Sequence, residues 1–157
     1  MNGILGAGLA MGLAGTVTMD LWTVLLNRLQ GKGFPQWSNP GRWFVHLFRG
    51  RVFHDDIAVA EPIAGENAIG WAFHYAVGLI YGVIFAVIAG PDWLAAPTFV
   101  PVWIFGLVTI AAGWFLLHPG MGMGWALSRT ATPWQGRIMG LAAHTVFAIG
   151  MYAAAVL

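Results

Sequence analysis

Four stretches of this chain run for about 20 residues or more with almost no charge, the length that crosses a hydrocarbon core of about 30 Å as a helix. They cover residues 3–28, 67–89, 98–118 and 133–157. Asp20 is the one ionisable residue well inside the first. Helix breakers separate them: Gly31-Lys32-Gly33-Phe34-Pro35 after the first, Gly90-Pro91-Asp92 after the second, His118-Pro119 after the third. The fourth opens at Pro133, with Thr132 as its expected cap. Hydrophobic residues make up 59% and charged residues 8% of the chain, against roughly 45–50% and 25% in soluble domains. The expected fold is therefore all-α integral membrane, four transmembrane helices in a bundle, as a single membrane domain over residues 1–157.

A formal net charge of +1 gives no field that would gather nucleic acid. The absence of cysteine removes disulfides, thiolate metal sites and thiol catalysis. The basic residues carry topology instead. Arg28, Lys32, Arg42, Arg49 and Arg51 surround the first connection, and Arg129 and Arg137 surround the third. Neither end of the chain nor the second connection has one. Positive charge on the cytoplasmic side then places both termini in the periplasm and the chain in a bacterial inner membrane. The opening Met1-Asn2-Gly3-Ile4 lacks a basic segment, so the first span is expected to be retained rather than cleaved. Asn2 excludes N-myristoylation.

The cytoplasmic connection, residues 30–66, contains Pro40-Gly41-Arg42-Trp43-Phe44-Val45-His46-Leu47-Phe48-Arg49. Trp43, Phe44, Leu47 and Phe48 share a face on a helical projection, and Arg42 and Arg49 are placed to reach headgroups. A short interfacial helix between the first two spans is expected, with a loop capping the bundle as the alternative. Trp37, Trp43, Trp71, Trp125 and Trp134 near the inner boundary, and Trp93 and Trp103 near the outer one, form belts that agree with this layout.

Asp20 falls about 12 Å inside the inner boundary, and His74 and His144 about 10 and 15 Å. Ionisable groups at such depths face protein, a partner or water. Each histidine stands in a row of small residues at a spacing of four: Gly70, His74, Gly78, Gly82, Ala86 and Gly90, then Gly136, Gly140, His144 and Ala148. Such rows pack helices closely. Gly70-x-Ala72-x-His74 matches Gly140-x-Ala142-x-His144 at an offset of 70, which hints at a parallel duplication. Three readings stay open. The histidines are hydrogen-bonded packing positions; or His74 and His144 ligate haem or another tetrapyrrole, with Gly70, Gly78 and Gly140 leaving room for the ring; or Asp20 pairs with a histidine as a proton site of a transporter or channel. His118 is expected to cap terminal carbonyls. His54-Asp55-Asp56, with Glu61 and Glu66, reads as a solvated acidic turn rather than a cation site, and no metal site is expected. Ser128-Arg129-Thr130 lacks the elbow of a serine nucleophile.

Thr18-Met19-Asp20-Leu21-Trp22, Gly41-Arg42-Trp43, Gly65-Glu66, Gly70-Trp71 with His74-Tyr75, Ser128 to Pro133, and His144 with Phe147 and Tyr152 together resemble a bacterial membrane family filed as domain of unknown function 2938. The resemblance runs over nearly the whole chain and implies a four-helix inner-membrane protein, with no activity or ligand attached. The residues themselves point to a non-enzymatic accessory or oligomeric component, partnered by the lipid bilayer and by other membrane subunits or itself. A tetrapyrrole-binding protein and a proton-coupled transporter centred on Asp20 are the alternatives.

Overall fold

The structure, a computed structural model, describes residues 2–157. It is helical, with no strand among the described residues. Helix α1 covers Asn2–Leu29, α2 Ser38–Phe48 and α3 Glu66–Ala95. Helix α4 runs from Phe99 to Gly120, and α5 covers Pro133–Val156. All except α2 are long and apolar enough to cross a membrane. The expected breaker at Gly90 is a kink inside α3 rather than its end. Gly90 takes φ +75°, a left-handed conformation open to glycine, and Pro91 opens a last helical turn behind it. Helix α4 widens into a π turn at Gly113–Leu117 before its final turn.

The chain forms two compact units. The first contains the residues up to Pro35, Tyr75–Thr109 and Leu141–Leu157, hence α1, most of α3, the start of α4 and the end of α5. Met11, Phe85, Val102, Phe147 and Met151 form its core. Glycine brings its helices together. A Cβ at Gly12 would fall on the Gly78 carbonyl and within 2.8 Å of Leu79 Cα, and one at Gly82 would strike the Gly8 carbonyl. Bilayers supply no hydrophobic drive between helices, so dispersion at such close backbone approach holds them. The hydroxyls of Thr16 and Thr18 donate to the carbonyls of Gly12 and Ala14, at 2.8 and 2.7 Å, which satisfies them inside their own helix. Leu5, Leu9, Leu13, Val17, Leu21, Leu25 and Leu29 of α1, at a spacing of four, are all exposed. Only 22% of the most apolar window of α1 is buried, an apolar surface that water would not tolerate.

The second unit contains Gln36–His74 and Ile110–Gly140. Its core is Trp43, Ile57 and Met121, with Phe44, Leu47, Phe73 and Leu117 packed against it. Helix α2 starts where the Trp37 backbone N–H donates to the Asn67 side-chain oxygen at 2.8 Å. The extended segment after α2 is stitched to the end of α4 by His54 N–H to Gly120 O, 3.0 Å, and Ile57 N–H to Met121 O, 3.1 Å.

The short helix between the first two spans is present, but its buried face is not the expected one. Gly41, Arg42, Trp43 and His46 point inward, and Phe48 and Arg49 are exposed. Arg42 therefore does not reach for headgroups, and Trp43, 2% exposed, is a core residue. Inward-facing acceptors reverse the polarity, as the site shows.

Candidate functional site

The densest polar cluster lies in the second unit, around α2. Glu66 opens α3, where a carboxylate favours the positive end of the helix dipole, and its Oε2 accepts from the Ile63 backbone N–H at 3.0 Å. Arg42 reaches the same carboxylate with two donors, Nε to Oε2 at 2.8 Å and Nη2 to Oε1 at 2.7 Å. Its remaining nitrogen, Nη1, donates to the carbonyls of Ile57, Ala58 and Ala60 at 2.9, 3.0 and 3.0 Å. The fork of an arginine suits a carboxylate in this two-point manner. Hydrogen bonding to Glu66 raises the Arg42 pKa further above its ordinary value, against the opposing effect of burial. Gly41 makes the approach possible, because a Cβ there would strike the Glu66 carbonyl.

One turn further along α2, His46 Nδ1 lies 2.9 Å from His54 Nε2, and His54 Nδ1 lies 2.9 Å from the Gly120 carbonyl. A carbonyl only accepts, so His54 carries its proton on Nδ1, and its Nε2 accepts from His46 Nδ1–H. Both rings are buried. Burial first, then His54 and the guanidiniums of Arg49 and Arg51, lower the His46 pKa below its ordinary 6.5, and the Glu61 carbonyl offsets part of this. His46 is thus held toward its neutral form. Trp43 Nε1–H closes the cluster by donating to the Val52 carbonyl at 2.8 Å. Its chemistry is that of a clasp, tying α2 to the extended segment and the start of α3 through the charge-assisted bonds of Arg42, and to the end of α4 through His54 and the Gly120 carbonyl.

The residues singled out by sequence are distributed differently. Asp20 is in the first unit, partly buried, and hydrogen-bonds with the Tyr75 hydroxyl of α3. His144 is also in that unit; its Nδ1 lies 2.9 Å from the Gly106 carbonyl and 3.0 Å from Thr109 Oγ1. His74 belongs to the second unit, buried, stacked on Trp37 at 4.0 Å between ring centroids and met edge-on by Trp71 at 5.9 Å. The two histidines thus have unlike surroundings, one aromatic and one hydrogen-bonding. The space beside the three glycines is filled by protein: Gly70 by the Trp37 backbone, Gly78 by the Thr16 hydroxyl, Gly140 by Ile110 at 3.2 Å. His118 does not cap with Nδ1, which is buried without a hydrogen-bond partner among the described residues. Within the acidic turn, Asp56 accepts from the Ala58 N–H at 2.8 Å and Glu66 is taken by Arg42.

Arg42, Glu66, His46 and His54 as a cluster escaped the sequence reading. One signal was present: Arg42 and His46 are four apart in a short helix, beside a glycine, and so share a face.

An all-helical chain with four apolar spans and a polar clasp defines a class of multi-span, membrane-type helical proteins. Within that class the chain belongs to the family described as protein of unknown function (DUF2938), whose model matches residues 9–157. No curated protein and no solved structure matches it.

Proposed function

We propose that the protein is a non-enzymatic, oligomeric component of the bacterial inner membrane, with both termini in the periplasm. The observation that carries this reading is the row from Leu5 to Leu29, exposed along the whole of α1. An apolar ridge of that length needs lipid or another subunit against it, and residues four apart form the inclined ridges that helix pairs interdigitate. The use of the buried charges supports a binding and assembly role: Arg42 and Glu66 bond to one another and to backbone, in an arrangement that fixes structure. The orientation rests on the placement of Lys and Arg around the first and third connections.

Two experiments test the halves of the reading. A cysteine at Leu13 should cross-link copies of the chain in native membranes, and the protein in nanodiscs should exceed the mass of one 16.9 kDa chain. A monomer without cross-links at Leu13 or Leu21 overturns the oligomer. For orientation, Asp92→Cys should react with an impermeant reagent outside intact cells. Labelling of Lys32→Cys from outside would reverse it.

A further inference from the structure

We infer that the second unit carries a phosphate-binding cavity between the segment after α2 and the loop before α5. The cavity, of about 450 Å³, is within the size range of small-ligand sites. Arg51 lines one wall and Arg129 and Ser128 the other. These residues are far apart in sequence, and the backbone bonds from His54 and Ile57 to Gly120 and Met121 bring their segments together. Gly122 permits the contact, since a Cβ there would strike the Asp55 carbonyl.

Charge decides what the cavity takes. Neither Arg51 nor Arg129 is in an ion pair among the described residues, in contrast to Arg42. Two guanidiniums repel one another across one cavity unless an anion lies between them. Asp55 also lines the space and offsets one of the two charges, leaving a single positive excess. A site with two forks and a hydroxyl matches the several acceptor oxygens of a phosphate, which one fork on a carboxylate would not need. Its rim is aromatic, with Phe53 65% and Trp125 62% exposed. Aromatic and basic residues side by side are the chemistry of the headgroup region.

The loop that presents Ser128 and Arg129 is held in a demanding shape. Ala126 and Leu127 have φ of +45° and +65°, left-handed values unusual outside glycine. Arg137 Nε donates to the Ala126 carbonyl at 2.8 Å, Thr130 Oγ1 to the Leu127 carbonyl at 2.8 Å, and Arg129 N–H to the Met123 carbonyl at 2.9 Å. Gly124 leaves the room that lets Ser128 and Arg129 fold back over it. Strain of this kind persists where the surroundings over-determine it, and it gathers at ligand sites. The ligand is thus a phosphate group, carried by an anionic lipid headgroup or free as inorganic phosphate.

The test uses the full chain in detergent, with native mass spectrometry against phosphatidylglycerol and phosphatidylcholine, and with inorganic phosphate as competitor. Wild type should retain phosphatidylglycerol in preference to phosphatidylcholine. Arg51→Gln and Arg129→Gln should each weaken retention roughly tenfold, the scale of one hydrogen-bonded charge, and Ser128→Ala by less. Arg49→Gln, outside the cavity, should leave it unchanged. Arg51 is exposed, so its variant keeps the test open even where a loop variant fails to fold. Displacement by inorganic phosphate assigns the site to phosphate itself, and retention of the lipid assigns it to the headgroup; either supports the cavity. Equal binding by wild type and both arginine variants overturns it, as does an Arg49→Gln loss as large as theirs.

Discussion

Both units of this protein use glycine for close approach, but they fill the contact differently. In the first, Gly8, Gly12, Gly78 and Gly82 let α1 and α3 meet backbone to backbone. In the second, Gly41 and Gly70 make room for the Glu66 carbonyl and the Trp37 backbone, and buried polar and aromatic side chains fill the rest. Trp43 fills the core, and Arg42 holds a carboxylate and three carbonyls at once. The difference follows from where the polar groups are. Helices of the first unit satisfy their backbone internally and gain mainly from dispersion, with a few side-chain hydrogen bonds such as that of His144 to the Gly106 carbonyl, so closeness matters most. The second unit contains a long non-helical segment whose carbonyls need donors, and one guanidinium supplies several of them.

This contrast can be broken or sharpened by substitution, read as unfolding in SDS titrations of the protein in mixed micelles. The largest effect is expected in the second unit. Arg42→Ala leaves the Glu66 carboxylate buried without its counter-ion and should destabilise by about 3–5 kcal/mol. Replacing both partners by apolar residues, Arg42→Met with Glu66→Leu, should recover part of that loss, because a buried pair removed together leaves no orphaned charge.

In the first unit, Asp20→Lys should destabilise by about 3 kcal/mol, since an ammonium cannot accept the Tyr75 O–H and places a cation inside a span. Asp20→Asn retains hydrogen bonding and should lose about 1 kcal/mol. Equal stability of wild type and the lysine variant would move Asp20 to water or headgroups. Smaller still, Gly12→Ala should lose about 1–3 kcal/mol by overpacking against α3. Gly6→Ala, with nothing within 4 Å of its added methyl, should be neutral or gain up to about 1 kcal/mol of helix propensity. Similar losses at both positions would show that close approach is not what the glycines provide.

The weakest effect is a pH dependence confined to the clasp. The folded state holds His46 below its ordinary 6.5, chiefly through burial, so below that pH the unfolded chain binds a proton that the folded chain refuses. Stability is then complete above about pH 6.5 and falls as the pH is lowered through the window beneath it. His46→Gln should flatten the profile. A wild-type profile that instead rises toward acid pH would give the histidine pair a shared charge.

The spans were legible in the sequence because length and hydropathy largely determine them, but the second runs six residues past its expected end at residue 89, since the Gly90-Pro91 breaker kinks the helix to Ala95 instead of ending it. Rows of small residues were legible as packing surfaces, but not what packs on them. Gly70 admits the backbone of Trp37, a residue outside any span, where the sequence suggested room for a flat ring. Periodicity identifies a face without naming its partner. For α2 it also inverted the face, since an arginine among aromatics reads as outward. Glu66, 24 residues along the chain, and the carbonyls of Ile57, Ala58 and Ala60 make inward the favoured direction, and such pairings have no local signature.

The central claim is that Arg42 and Glu66 act as one unit that holds the clasp together. A double-mutant cycle with Arg42→Ala and Glu66→Ala, scored by unfolding in the same lipid and at pH 7.5 (roughly one unit above the ordinary histidine value), tests it directly. A coupling of about 1–3 kcal/mol between the two substitutions is the predicted result. Additive losses, within about 0.5 kcal/mol, would contradict it.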